Sequence, residues 1–298
     1  MSSSISSSSA DNAKQTVTVV IGSNAPPERL AACLEALEPQ RSGVEVLVYE
    51  GAPSPSEVRD RFAWATFVTT PGALVPHEWR DGIDAARSEI VALTIAQMVP
   101  ARDWIATIRR ALAAGDVVAG AIEPGRRLRV VDWAEYFCRY SRDMLPFPER
   151  ETPDLPGDNA AYRRERLETV RETYRDGFWE PDVHRALAAD GVPLPQRPDL
   201  VVHQERSAGF AAFARQRMRH GRAYGQQRGV RFSAGRNVVG VLAWPAVPLL
   251  MTLRVVKLVM SKGRYRGRLA LALPAVIAFN VVWAVAEALG HLDVLRGR

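Results

Sequence analysis

From Thr16 onward, short β-branched runs alternate with helical patterns, and this rhythm limits the first half of the chain to few architectures. Val17 to Ile21 is an apolar run. The stretch from Asn24 to Glu28 then opens a helix whose Leu30, Cys33, Leu34 and Leu37 fall at i, i+3, i+4 and i+7. Glu45 to Tyr49, Phe67 to Thr69, Ile90 to Thr94 and Val117 to Ile122 repeat the strand signal. Between them lie helical patterns at Glu57 to Phe62 and around Trp104, Ile105, Ile108 and Leu112. Strands that alternate with helices predict an α/β fold, a mainly parallel sheet covered on both faces. Ligands of such sheets bind at the carboxyl ends of the strands.

Beyond Ile122 the rhythm weakens. A four-proline loop, 145 to 158, leads into Gly157-Asp158-Asn159-Ala160-Ala161-Tyr162-Arg163-Arg164. A helix is expected at Pro181 to Ala189 and a strand at Leu200 to His203. An arginine-rich helix follows: Arg206, Arg215, Arg217, Arg219, Arg222, Arg228, Arg231 and Arg236 succeed one another with no acid among them. Only three of the 39 basic residues are lysines, so arginine carries nearly all the positive charge. The block favours an anionic partner, a pyrophosphate or a lipid headgroup. It lacks the interleaved aromatics of a nucleic-acid module, so nucleic acid is not an expected partner. Two cysteines exclude a disulfide framework or a thiolate zinc cluster. Residues 1 to 15 are serine-rich and read as a disordered tail.

The C-terminal material is different. Asn237 to Leu253 and Leu269 to Ala286 hold 17 and 18 residues without a charge, the short end of what a spanning helix needs. Pro245 and Pro248 interrupt the first. The connecting segment carries Lys262, Arg264, Arg266 and Arg268, so a shallow or hairpin insertion with basic flanks on the cytoplasmic side is expected. Two buried core helices are the alternative.

The opening Val19-Val20-Ile21-Gly22-Ser23-Asn24, with Pro27-Glu28-Arg29-Leu30 and Cys33-Leu34, resembles the inverting glycosyltransferases of family two, which have the GT-A fold. Glu45 to Gly51, Glu89 to Leu93, Val99-Pro100, Asp103-Trp104, the Gly157 to Arg163 segment, Gly177-Phe178-Trp179-Glu180 with Asp182, and Val202-His203 follow in the family's order. The likeness runs from about Thr16 to Gly229. It implies transfer of a hexose from a nucleotide-sugar donor to a lipid or saccharide acceptor, with inversion. Glu180 corresponds to the catalytic base, with Asp182 as fallback. Glu50 stands where the family meets the base or ribose, and His203, Arg217, Arg219 and Arg222 are candidates for the diphosphate. Asp158 and Asn159 are candidates for acceptor hydroxyls.

The chain departs from the family at the metal motif. Where the family has two acids flanking one residue, this sequence reads Thr94-Ile95-Ala96-Gln97-Met98. Ile95 and Gln97 supply no anionic oxygen for Mg²⁺ or Mn²⁺. Gln97 remains a neutral donor-side candidate, no metal site is assigned, and no cofactor is expected. Either another cation meets the diphosphate or catalysis has been lost.

Each candidate has a plainer reading. Glu180 can be an N-terminal helix carboxylate, with Pro181 in the first turn. His203 can be structural, Asp158 and Asn159 ordinary turn residues, and the arginines a solvated face. Trp133, Tyr136, Phe137 and Tyr140 have helical spacing and are expected in the core. The expected organisation is a tail over 1–15, a transferase domain over 16–230 and a membrane-associated helical region over 231–298. The alternative function is a non-catalytic protein of the same fold that binds a ligand or partner at the membrane.

Overall fold

A computed structural model describes residues 15–205 and 209–297. Residues 1–14 of the tail expected over 1–15, and Arg206 of the basic block, lie outside the described residues. By contacts the chain falls into two compact units. A sheet unit comprises residues up to Glu123 together with Asp143–Gln204. A helical unit comprises Pro124–Arg142 together with Glu205–Arg298. The boundary expected at residue 230 lies inside the helical unit.

The sheet unit is built on nine strands: β1 (Val17–Ser23), β2 (Val44–Glu50), β3 (Thr66–Thr69), β4 (Ile90–Ile95), β5 (Met98–Pro100), β6 (Val117–Pro124), β7 (Arg150–Glu151), β8 (Asn159–Arg163) and β9 (Pro195–Gln204). Their order is β3-β2-β1-β4-β8-β6-β9-β5, with β7 on β9. β3, β2, β1 and β4 are mutually parallel. β8 then runs antiparallel to both β4 and β6, and β9 antiparallel to β5 and β7. The α/β fold is as expected, with the parallel half confined to the segment where strand and helix alternate.

Helices α1 (Pro27–Leu37), α2 (Ser56–Arg61), α3 (Val75–Ala85), α4 (Trp104–Leu112), α6 (Arg164–Thr169) and α7 (Glu180–Ala189) also belong to this unit. All seven residues of β1 are buried, the pattern of a strand covered on both faces. Leu30, Cys33, Leu34 and Leu37 of α1 are buried as their spacing predicts, and burial pushes the Cys33 thiol up to about 12. Trp104, Ile105, Ile108 and Leu112 do the same for α4.

The helical unit holds α5 (Val130–Tyr140), α8 (Phe210–Val230), α9 (Ala234–Leu242), α10 (Val247–Lys262) and α11 (Arg266–Leu295). Trp133, Tyr136, Phe137 and Tyr140 of α5 are buried, as expected. The axis of the unit is the α8–α11 pair. Gly225 and Gly290 let two backbones meet: an added Cβ at Gly225 would lie 2.2 Å from the Glu287 carbonyl oxygen, and one at Gly290 2.2 Å from that of Arg222. Polar bonds tie the same pair together. Arg222 donates to both carboxylate oxygens of Asp293 at 2.6 and 2.8 Å. Arg228 meets Glu287 at 2.9 Å. α11 is long and apolar enough to cross a membrane by length and composition, and α9 and α10 form a pair bent by 71°.

Candidate active site

The parallel strands end in a cluster of polar groups. At the end of β2, Glu50 is 1% exposed. Its Oε2 accepts from the Ser54 amide at 3.0 Å and the Ser54 hydroxyl at 2.6 Å, and its Oε1 takes the Arg59 guanidinium. The carboxylate therefore closes the β2–α2 turn from inside. Just beyond β1, the Asn24 amide donates to Glu78 Oε1 at 3.0 Å and to the Ala73 carbonyl at 3.2 Å. Glu78 is fully buried on α3. An added Cβ at Gly51 would fall 2.2 Å from Asn24 Oδ1, so the strand-end backbone of β2 lies directly against this amide.

At the end of β4, Ile95 is 2% exposed and packs inward. Ala96 and half-buried Gln97 form the turn into β5. A divalent cation favours several anionic oxygens, and this position offers an alkyl group and one neutral amide. Among the described residues no group of three His, Cys, Asp or Glu could hold a metal ion. The residues present do not fit Mg²⁺ or Mn²⁺ at the strand-end motif.

Glu180 is the first residue of α7, followed by Pro181 within the first turn. Its side chain lies along the backbone of Gly157: an added Cβ there would meet Glu180 Cγ at 2.4 Å and Oε1 at 2.6 Å. The structure thus brings Glu180 together with the loop that carries Asp158. Asp158 is 6% exposed, and its carbonyl accepts from the Thr94 hydroxyl at 3.0 Å. This hydrogen bond joins the loop to the carboxyl end of β4. Behind Glu180, the Tyr162 hydroxyl and His184 Nε2 are 2.7 Å apart and both rings are fully buried. Burial first and the Glu180 charge second hold the Tyr162 phenol well above its ordinary value, so it stays protonated beside the carboxylate. Asp182, half-buried, pairs with Arg185 at 2.8 Å within the helix.

Asn159 has a structural role. Its Oδ1 accepts from the Trp104 indole at 2.8 Å, and its Nδ2 donates to the carbonyls of Ala121 at 2.9 Å and Leu200 at 3.0 Å. With zero exposure and these bonds made, the amide faces no acceptor hydroxyl. His203, half-buried on β9, stands opposite Val99 on β5, the strand that follows the Ile95–Gln97 turn.

A mannosyltransferase from Pyrobaculum calidifontis, solved in complex with GDP-mannose and Mn²⁺, matches this chain with a TM-score of 0.53 at 19% identity, over 93% of this chain and 87% of that one. No protein-family model matches the sequence, and no curated protein does. At that identity the likeness is one of fold, and the fold is glycosyltransferase-like.

The three arginine candidates belong to the helical unit. Arg217 is buried; its Nε donates to the Phe279 carbonyl at 3.1 Å and its Nη2 to Asn280 Oδ1 at 3.2 Å. Its guanidinium also lies 4.7 Å from the Trp283 ring centre. Arg217 is therefore a packing residue between α8 and α11, because its fork is filled by that helix. Arg222 is clamped on Asp293, which raises its affinity for its proton through that hydrogen bond and charge. Arg219 is exposed.

Sequence reasoning missed Glu78. The available signal was an acid inside the cluster Trp79, Gly82 and Ile83, which form the buried side of α3. It also missed the Trp104–Asn159 and Tyr162–His184 pairs, which join residues 55 and 22 positions apart.

Proposed function

We propose that the protein is an inverting glycosyltransferase that moves a hexose from a nucleotide-sugar donor to a hydroxyl of a lipid or lipid-linked saccharide at a membrane. The glycosyltransferase-like fold supports the class. The observation that carries the chemistry is the placement of Glu180 against Gly157, with its carboxylate at the start of α7 beside the Asp158 loop. In such a transfer the acceptor oxygen attacks the anomeric carbon and its proton passes to Glu180. The bond to the diphosphate breaks on the opposite face, and the departing oxygen keeps the electron pair. The Tyr162–His184 pair, 2.7 Å apart and buried, fixes the floor under Glu180. Asp158 would orient the acceptor, and the strand-end cluster of β1 and β2 would receive the nucleoside. His203 is the sheet unit's candidate cation for the diphosphate. No step is routed through a divalent metal. Basic flanks around the C-terminal apolar segments support a cytoplasmic orientation.

Turnover of a donor by the parent and by Glu180→Gln tests the reading. The amide keeps the shape but takes no proton, so turnover should fall on the order of 10²-fold or more while donor binding persists. Equal turnover would remove Glu180 from the role. A second reading, a ligand-binding protein without catalysis, is favoured by Ile95 and Gln97 at the metal motif. It predicts donor binding with no transfer by the parent itself.

A further inference from the structure

We infer that the helical unit enters only one leaflet of an anionic bilayer, with the α9–α10 bend as its wedge and without α11 crossing. The inference rests on the membrane reading above and adds its geometry and lipid chemistry.

A crossing by α11 would need about 20 residues in hydrocarbon, roughly 30 Å. One face of α11 is already occupied along most of its length, although Leu271, Ile277 and Val281 stay exposed. Cys138 of α5 lies 3.9 Å from the Val276 carbonyl. Phe213 of α8 packs on Phe279 with ring centres 4.6 Å apart, and Arg217 bonds Phe279 and Asn280. Gly221 lies against Ala286, Gly225 against Glu287, and Arg222 and Gln226 hold Asp293. From residue 276 to 293 the helix is thus attended by α5 and α8. α8 carries Arg215, Arg217, Arg219, Arg222 and Arg228, and a helix so charged does not reside in hydrocarbon. Beyond those contacts only residues 269–275 carry no charge, with Arg266 and Arg268 just before them; they make about 10 Å of helix, less than the depth of one leaflet.

The bend between α9 and α10 is apolar and outward. Val239 is 63% exposed, Leu242 72%, Leu249 62% and Leu250 63%, with Trp244 41% exposed at the turn. Pro245 and Ala246 are exposed beside it. An indole among leucines suits the bilayer interface. Further along α10, Arg254 and Lys257 are exposed. Lys257 lies seven residues past Leu250, about 10 Å along the axis, which sets cations at headgroup level when the leucines reach acyl chains.

Charge complementarity decides the lipid. From residue 206 to 286 the sequence holds 14 Arg or Lys and no acid, although the whole chain is only +6. Such a segment is drawn to anionic headgroups.

The test uses the full chain. Cys33 is buried, and burial pushes the half-buried Cys138 thiol up to about 11, so an introduced exposed cysteine is the reactive one. Ala243→Cys carrying an environment-sensitive fluorophore should brighten with phosphatidylcholine–phosphatidylglycerol vesicles, much less with phosphatidylcholine alone, and less as salt rises. Leu249→Ser with Leu250→Ser should weaken vesicle binding on the order of tenfold or more. If that variant misfolds, the Ala243 label on the otherwise native chain still reports insertion. In sealed membranes, an impermeant thiol reagent should reach Ser261→Cys and Arg296→Cys from the same side. Labelling from opposite sides would overturn the single-leaflet geometry while leaving membrane association intact. Equal binding to neutral vesicles would overturn the anionic preference. Label burial by self-association without vesicles would overturn the lipid assignment, and binding to no vesicle would sink the membrane reading as well. None of these outcomes touches the Glu180→Gln assay.

Discussion

Asn159 shows how one side chain can look like a ligand-binding residue and serve as an internal brace. It joins the Trp104 indole to two strand carbonyls. Asn159→Ala leaves those partners unsatisfied in a buried place, at about 1–3 kcal/mol for each group. The variant should lose at least about 3 kcal/mol in urea unfolding, with any acceptor effect following from lost fold. A loss below about 1 kcal/mol would return Asn159 to the acceptor role. In the sequence Asn159 reads as turn chemistry because its partners lie 38 to 55 positions away. Glu50 had a nearer signal that the resemblance to the base or ribose site passed over: Ser54 and Arg59 follow within nine residues, a spacing that allows a strand-end acid to close its own turn. Glu180 could be read from its Trp179 and Pro181 neighbours, but Gly157, which lets its side chain lie flat, could not be paired with it in advance.

Helix periodicity made α1 and α4 readable to the residue, because one-sided burial leaves an apolar stripe. The antiparallel half of the sheet left no such trace: β8 is a short buried run after a proline loop, and nothing local sets its direction. The α8–α11 pair was hidden for another reason. Gly221, Gly225 and Gly229 sit four apart on α8, and glycine in a helix reads as weakness until the partner helix is known. Their order of closeness predicts a graded series. Gly225→Ala, whose Cβ would stand 2.2 Å from a backbone oxygen, should destabilise the helical unit by about 1–3 kcal/mol or more. Gly221→Ala, 2.9 Å from the Ala286 methyl, should cost less. Gly235→Ala meets nothing within 4 Å and should be neutral or stabilising on helix propensity. Thermal unfolding of the three variants checks the ranking, and equal midpoints would contradict it.

For the whole molecule, the alternation of the first half gave the fold class, and the match to a mannosyltransferase structure over most of both chains agrees with it. That structure was solved with GDP-mannose and Mn²⁺, whereas Ile95 and Gln97 of this chain offer a cation almost nothing. Recognition of a diphosphate without a metal relies on charge-assisted hydrogen bonds, which weaken as salt rises and are indifferent to chelators. His203→Ala should then lower affinity for a nucleoside diphosphate without altering the fold. The central claim is tested most directly by calorimetric titration of the purified full chain with nucleoside diphosphates in the presence of a chelator. The account predicts saturable binding of at least one nucleotide, unchanged by the chelator and weakened by salt. Absence of binding to every nucleoside diphosphate, with divalent metal restored, would contradict it.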